Sequence, residues 1–263
     1  MDVLAVDGLW KRYATTWAVQ GLSYTVQDGE IVGLIGPNGA GKTTTLKAIV
    51  GLLQPDQGRI AVGGRTIADD PVAYKAAFGY MPESFSLPDY LSGHEFLEYV
   101  GRIHDLPLDV LRGRIREGLL RFDLWERRND LLVTYSKGMR QKTAFLAATL
   151  HVPSLLLLDE PLIGIDPAGQ ARLKEFLRAL TARGSGVLVS THMLDTAERL
   201  CDRIVIVHHG VAVATGTMAE LRASAHAKAD SSLEEVFLQL TAEAQVVPPP
   251  DEPPRRRFGL WRR

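Results

Sequence analysis

The stretch "EIVGLIGPNGAGKTTTLKAIV" (30–50) constrains this chain more than any other. An apolar run at 30–35 leads at once into Gly-x4-Gly-Lys-Thr, and a helical pattern follows from 42 to 50. Runs that are apolar on both faces read as buried strands of a parallel sheet. Glycines then let backbone N–H groups curl round phosphate oxygens. A strand, this loop and a helix in that order form a phosphate-binding loop. The candidate site is therefore "GPNGAGKTT": Gly36, Pro37, Asn38, Gly39, Ala40, Gly41, Lys42, Thr43 and Thr44. Lys42 supplies a point charge and Thr43 a hydroxyl for Mg2+. The competing reading is a glycine-rich turn with an exposed lysine, and the strand and helix on either side weigh against it.

Two more continuous apolar runs, "LLLLDE" (155–160) and "GVLVSTH" (186–192), alternate with helical patterns, as in a parallel α/β sheet. Asp159 is placed to hold Mg2+ through water, and Glu160 to orient or activate an attacking water. His192 could contact a γ-phosphate. Taken singly, Glu160 could be a solvated strand-terminal acid and His192 a helix N-cap neighbour. Jointly, three strands end at their carboxyl edge in a phosphate-handling residue, and that edge is where open parallel sheets bind ligands.

The first 30 residues and 58–68 look like antiparallel strands, with "QDGE" (27–30) as a hairpin turn. Residues 88–150 read as a helical insert, and "SSLEEVFLQLT" (231–241) as an amphipathic helix. The expected organisation is a domain over 1–245 and a Pro/Arg-rich, flexible tail over 246–263. With 263 residues, 46% apolar and 23% charged, the chain can bury a substantial core. A net charge of −1 does not point to nucleic acid. The single cysteine, Cys201, excludes an intrachain disulfide and fits a reducing compartment. "MDVLAVDGLWKRY" lacks the long apolar core of a signal peptide, and nowhere do about 18 apolar residues run together to span a bilayer. The expectation is a soluble intracellular protein.

"VTYSKGMRQK" (133–142) combines a hydroxyl, a glycine and a basic helix start, which suits an anion but also suits an ordinary loop-to-helix start. The order of motifs decides between them. The loop at 36–44, "YSKGMRQ" (135–141), "LLLLDEP" (155–161), "GIDP" (164–167) and "STH" (190–192) resembles that of ATP-binding cassette (ABC) ATPases over roughly residues 3–240. The fold this implies is an α/β P-loop NTPase: a parallel-sheet core, an N-terminal antiparallel β subdomain and an inserted α-helical subdomain. The resemblance further implies that Ser136 and Gly138 grip the γ-phosphate of an ATP held by a second subunit, most simply a second copy. It makes Tyr13 the aromatic that stacks on adenine, with Trp10 and Trp17 as competitors. Asp166 would link the two sites across the dimer; it also reads as an N-cap before Pro167.

Two positions depart from the family pattern. The usual Leu-Ser-Gly-Gly-Gln is here Tyr135-Ser136-Lys137-Gly138-Met139, and the glutamine expected after "FGYMP" (78–82) is Glu83, a further candidate metal ligand. "GYMPE", "YSKGMRQ" and "SLEEVFLQLT" together resemble stand-alone exporter ATPases for drugs, antibiotics or polysaccharides. The implied activity is ATP hydrolysis with Mg2+, coupled to a separate membrane permease at the inner face of the cell membrane. The implied dock is Tyr80–Tyr90 with the helix near His94–Val100. Two other functions compete: a soluble ABC ATPase on ribosomes or DNA, and an ATP-sensing module with little turnover. For the arginine-rich tail, a solubilising role competes with contact to an anionic leaflet.

Overall fold

The computed structural model describes residues 1–242, so the expected tail at 246–263 lies outside the described residues. Three strands, β1 (Asp2–Tyr13), β2 (Thr16–Gln27) and β4 (Gln57–Val62), form an antiparallel sheet in the order β2-β1-β4. The second sheet holds β3 (Ile31–Ile35), β5 (Phe78–Met81), β6 (Leu155–Asp159), β7 (Gly186–Thr191), β8 (Arg203–His208) and β9 (Val211–Gly216). Its order is β5-β6-β7-β3-β8-β9; all neighbours are parallel except the β8–β9 edge. The expected parallel core and antiparallel subdomain are both present.

Two local expectations need correction. "QDGE" does turn, with Gly29 at φ 74° and Glu30 N donating to Gln27 O at 3.3 Å, but it joins the two sheets rather than closing a hairpin. The β1–β2 hairpin closes instead at Ala14 and Thr15, where Ala14 takes φ 49°. Neither residue is a usual turn former, so nothing in the local chemistry announces the bend. The strand expected over 58–68 stops at Val62, and an isolated bridge between Val62 and Arg65 folds the chain back.

The helices are α1 (Lys42–Ile49), α2 (Pro71–Ala76), α3 (Gly93–Ile103), α4 (Leu108–Arg121), α5 (Lys137–Thr149), α6 (Pro167–Thr181), α7 (Leu194–Leu200), α8 (Met218–Ser224) and α9 (Leu233–Ala242). Helix α3 starts where the sequence says it should: Ser92 accepts from Glu95 N, and the Glu95 side chain accepts from Ser92 N. Strand β6 shows why its sequence is apolar throughout. Leu155 and Leu157 pack into the core beneath the antiparallel sheet and α1, while Leu156 and Leu158 pack into the core with α3 to α6. Period-2 alternation between two cores leaves no face for a polar residue.

Where α3 ends, His104 stacks on His151 with ring centroids 3.8 Å apart and planes 4° from parallel. His151 also meets Phe78 O through Nε2 at 3.1 Å. Burial pushes the His151 imidazole down to about 4; the charges of His104 and Arg114 act the same way and the Phe78 carbonyl opposes them. The unfolded chain, with its value near 6.5, takes the proton first as pH falls. Stability from this group is therefore complete above the unfolded value and is lost from about pH 6.5 down to about 4. Melting temperatures over that range should fall more steeply for the native chain than for His151→Phe. Parallel curves would assign the acid sensitivity elsewhere.

Candidate functional site

Chain order and sheet order differ at the centre of the second sheet, where β6, β7 and β3 are adjacent. In register, Ile35 pairs with Thr191 and Asp159 with Ser190. The loop after β3, the acids at the end of β6 and His192 after β7 therefore meet at one edge. One cleft of about 430 Å3 there is lined by Tyr13, Ala18, residues 38–44, Glu83, Asp159 and Glu160.

The loop's conformation depends on two glycines. Gly41 takes φ 104°, and a Cβ there would sit 2.4 Å from Ala18 O; a Cβ on Gly36 would sit 2.1 Å from Val207 O. No other residue fits either position without moving backbone. Lys42 opens α1 and is buried; its Nζ donates to Gly36 O at 2.7 Å and to Pro37 O at 3.2 Å. Burial lowers its pKa, while Glu160, Asp159 and Glu83 pull it back up. One ammonium therefore stands among three carboxylates, which is an arrangement that leaves an attractive field for a cation beside the phosphate loop.

Thr43 Oγ1 donates to Asp159 Oδ2 at 2.9 Å. The other oxygen, Asp159 Oδ1, is buried without a hydrogen-bond partner. Burial raises the Asp159 pKa, opposed by the hydroxyls of Ser190 and Thr43. Ser190 is near enough to favour the ionised form, although its Oγ stands outside hydrogen-bond geometry. A buried, underpartnered carboxylate beside a threonine hydroxyl fits a hard divalent cation such as Mg2+. Among the described residues no group of three or more His, Cys, Asp or Glu could hold a metal ion alone. Mg2+ characteristically takes few protein ligands and completes its shell with water and phosphate, so this donor set suits it. Glu83 lines the same cleft from the segment after β5.

Glu160 has φ 50°, the left-handed region that a non-glycine residue avoids. Its surroundings fix it there. Its N–H donates to Ser190 O at 2.8 Å, Thr191 Oγ1 donates to Oε2 at 2.9 Å, and His192 N donates to Oε1 at 3.0 Å. His192 Nδ1 lies 2.6 Å from the same Oε1, which assigns the proton to Nδ1. The carboxylate is 6% exposed and the imidazole 46%, so a buried acid and an open histidine share one contact. Both are where the sequence places them. Their coupling, and the part of Thr191, were not expected; the only trace was a threonine directly before the histidine in "STH".

Of the three aromatics near residue 13, Tyr13 lines the cleft and is 48% exposed, whereas Trp10 and Trp17 pack edge-to-face on each other at 5.2 Å. Ser136 and Gly138 do not line the cleft of the loop. Ser136 is the N-cap of α5 and accepts from Met139 N at 3.3 Å. A Cβ on Gly138 would approach Gly164 O at 2.9 Å. Asp166 caps α6 by accepting from Gly169 N at 3.0 Å, and also accepts from Lys142 Nζ at 2.8 Å. The Lys142 contact, then Gly169 N, holds its pKa below the usual carboxylate range. Asp166 thereby ties the segment after Glu160 to helix α5 within the chain, and Lys142 is a second residue the sequence reading missed. Lys137 lies along Gly164 and lines a cleft of about 480 Å3 with Glu83, Arg140, Gln141 and Glu160.

The site can thus bind a polyphosphate, hold a divalent cation and offer a carboxylate to water. Comparisons with known proteins identify the family. A family model described as ABC transporter matches residues 19–163. The ABC-type transporter ATP-binding protein EcsA of Bacillus subtilis (strain 168) is 38% identical over 243 residues, covering 92% of this chain and 98% of EcsA. The daunorubicin resistance ATP-binding protein DrrA3 of Streptomyces coeruleorubidus is 39% identical over 220 residues, covering 84% and 70%. A solved ATP binding subunit of an ABC transporter superimposes with a TM-score of 0.87 at 37% identity, covering 91% of this chain and 99% of that one. By sequence, fold and the arrangement of its phosphate loop, the chain belongs to the ATP-binding proteins of the ABC transporter family.

Proposed function

We propose that this chain is the ATP-hydrolysing subunit of an ABC exporter, working as a dimer at the inner face of a membrane on a separate permease. The observation that carries the reading is the single cleft in which Tyr13, the loop at 38–44, Asp159 and Glu160 converge. Tyr13 stacks on the base. Backbone N–H groups of the loop and Lys42 hold the phosphates. Thr43 and Asp159 hold Mg2+, which supplies charge neutralisation on the phosphate oxygens when bound, and Glu83 completes the acidic wall. Glu160 takes a proton from the attacking water, and His192 positions both Glu160 and the terminal phosphate. Ser136 and Gly138 serve a second subunit's nucleotide, and their absence from the lining of the chain's own cleft supports that division. Asp166, anchored by Lys142, carries the link between the two sites.

The permease reading rests on a second, mostly apolar groove. It is lined by Phe78 to Pro82, Phe85 to Leu87, Phe96, Val100 and the Ala144–Ala148 face of α5. The groove overlaps the expected dock at Tyr80–Tyr90 and the helix near His94–Val100, which supports that reading. Among the described residues no helix is long and apolar enough to cross a membrane. A relative of Ralstonia nicotianae, 38% identical over 220 residues, is named Nod factor export ATP-binding protein I, which supports export. Tagged Glu160→Gln protein, incubated with ATP and Mg2+ and recovered from detergent-solubilised membranes, should retain a multi-span membrane protein. Phe96→Glu should lose it while melting normally. Recovery of ribosomal proteins alone would favour a soluble ABC ATPase instead.

A further inference from the structure

The guanidinium of Arg140 joins three stretches of chain that are separate in sequence. Nη1 donates to Leu132 O at 2.7 Å and to Asp89 Oδ1 at 2.8 Å, and Nη2 reaches Leu87 O at 3.3 Å. The backbone N–H of Arg140 donates to Ser136 O at 2.9 Å, in the first turn of α5. That bond is the ordinary i to i−4 contact of a helix start; what the side chain adds is a tie from the first turns of α5 to Leu132 and to the segment 87–89. The same two stretches are already laced together: Leu132 N donates to Leu91 O at 2.8 Å, and Ser92 bridges Leu131. Leu87, Ser86 and Phe85 line the apolar groove, while Phe85, Arg140 and Glu160 line the cleft beside it. On its far side α5 is held to the segment after Glu160 by Gln141, which reaches Pro161 O at 3.4 Å, and by Lys142 at Asp166.

We propose that Arg140 is a positioning residue that sets Ser136 and the start of α5 against the groove-lining segment 85–91, so that a partner in the groove and a phosphate at Ser136 act on one rigid element. This rests on the reading that Ser136 serves a nucleotide in trans. The chemistry requires arginine: a planar fork with several fixed donors spans a carboxylate and two carbonyls, and a lysine ammonium on a flexible stem does not. Arg140 does not line the cleft of the phosphate loop but shares the neighbouring cleft with Glu160 and Glu83, so the test must separate an effect on dimerisation from one on the chain's own nucleotide.

The test uses the full chain in the Glu160→Gln background, with Mg-ATP titrated against mass by light scattering and Mg-ADP affinity measured on the same protein. Arg140→Lys should need roughly tenfold more ATP to reach half dimer, while ADP affinity stays within about twofold and the melting temperature is kept. Asp89→Asn, which leaves both carbonyl contacts in place, should give a smaller shift in the same direction. Dimerisation of Arg140→Lys at the ATP concentration of its parent overturns the proposal. So does an equal loss of ADP affinity, which marks a general structural role. If the Glu160→Gln chain with Arg140 intact forms no ATP-dependent dimer, the trans reading itself has failed, and this inference falls with it.

Discussion

Glu160→Gln is expected to cut steady-state phosphate release by about 10²–10⁴-fold, the range of general-base contributions, while ATP and Mg2+ still double the protein's mass. The reason lies in the contacts around the side chain. Both carboxylate oxygens accept hydrogen bonds from β7 and the residue after it, Thr191 to Oε2 and His192 to Oε1. An amide oxygen can keep the His192 contacts, so the backbone at φ 50° stays fixed and the cleft keeps its shape. What glutamine cannot do is accept the proton of an attacking water. Binding and dimerisation survive and turnover does not. Phosphate release at the native rate would move the base to another residue; a variant that is monomeric at saturating ATP would remove the dimer.

Lys42→Met should weaken Mg-ATP binding by about 100-fold, measured by titration calorimetry. A hydrogen bond to a charged group is worth about 1.5–3 kcal/mol, which alone is roughly one to two decades of affinity. A second effect adds to it here. Glu160, Asp159 and Glu83 all act on the ammonium, so its removal leaves three carboxylates facing a polyanion. Methionine keeps the apolar stem of the buried side chain, so the fold should hold. A loss of less than threefold would show that the backbone amides of the loop carry the phosphate without the lysine.

Much of this molecule was legible before any coordinate. The phosphate loop, α1, the runs that become β3, β6 and β7, the helical stretch from α3 to α5, and the candidates Asp159, Glu160, His192 and Ser136 all follow from short-range patterns. Each such pattern has a local cause: period-2 burial between two cores, a cap, or a glycine where a Cβ would strike backbone. The misreading of "QDGE" has the same origin, because a local turn signal does not say which sheet the next strand joins. Tyr13 was separable from Trp10 and Trp17 only once the two tryptophans were seen packed on each other.

By itself, the sequence determined the phosphate loop with its flanking strand and helix, the two other buried runs and the residue types at their ends. The tertiary structure decided that β6, β7 and β3 are neighbours, although more than a hundred residues separate β3 from β6 in the chain. It also decided that His192 and Thr191 hold Glu160, that Lys142 holds Asp166, and that Arg140 fastens α5 to the groove. The physical reason is that leucine, valine and isoleucine strands are nearly interchangeable as buried surfaces. Their order is settled by how whole faces pack and by contacts distant in sequence, and no window of the chain records either.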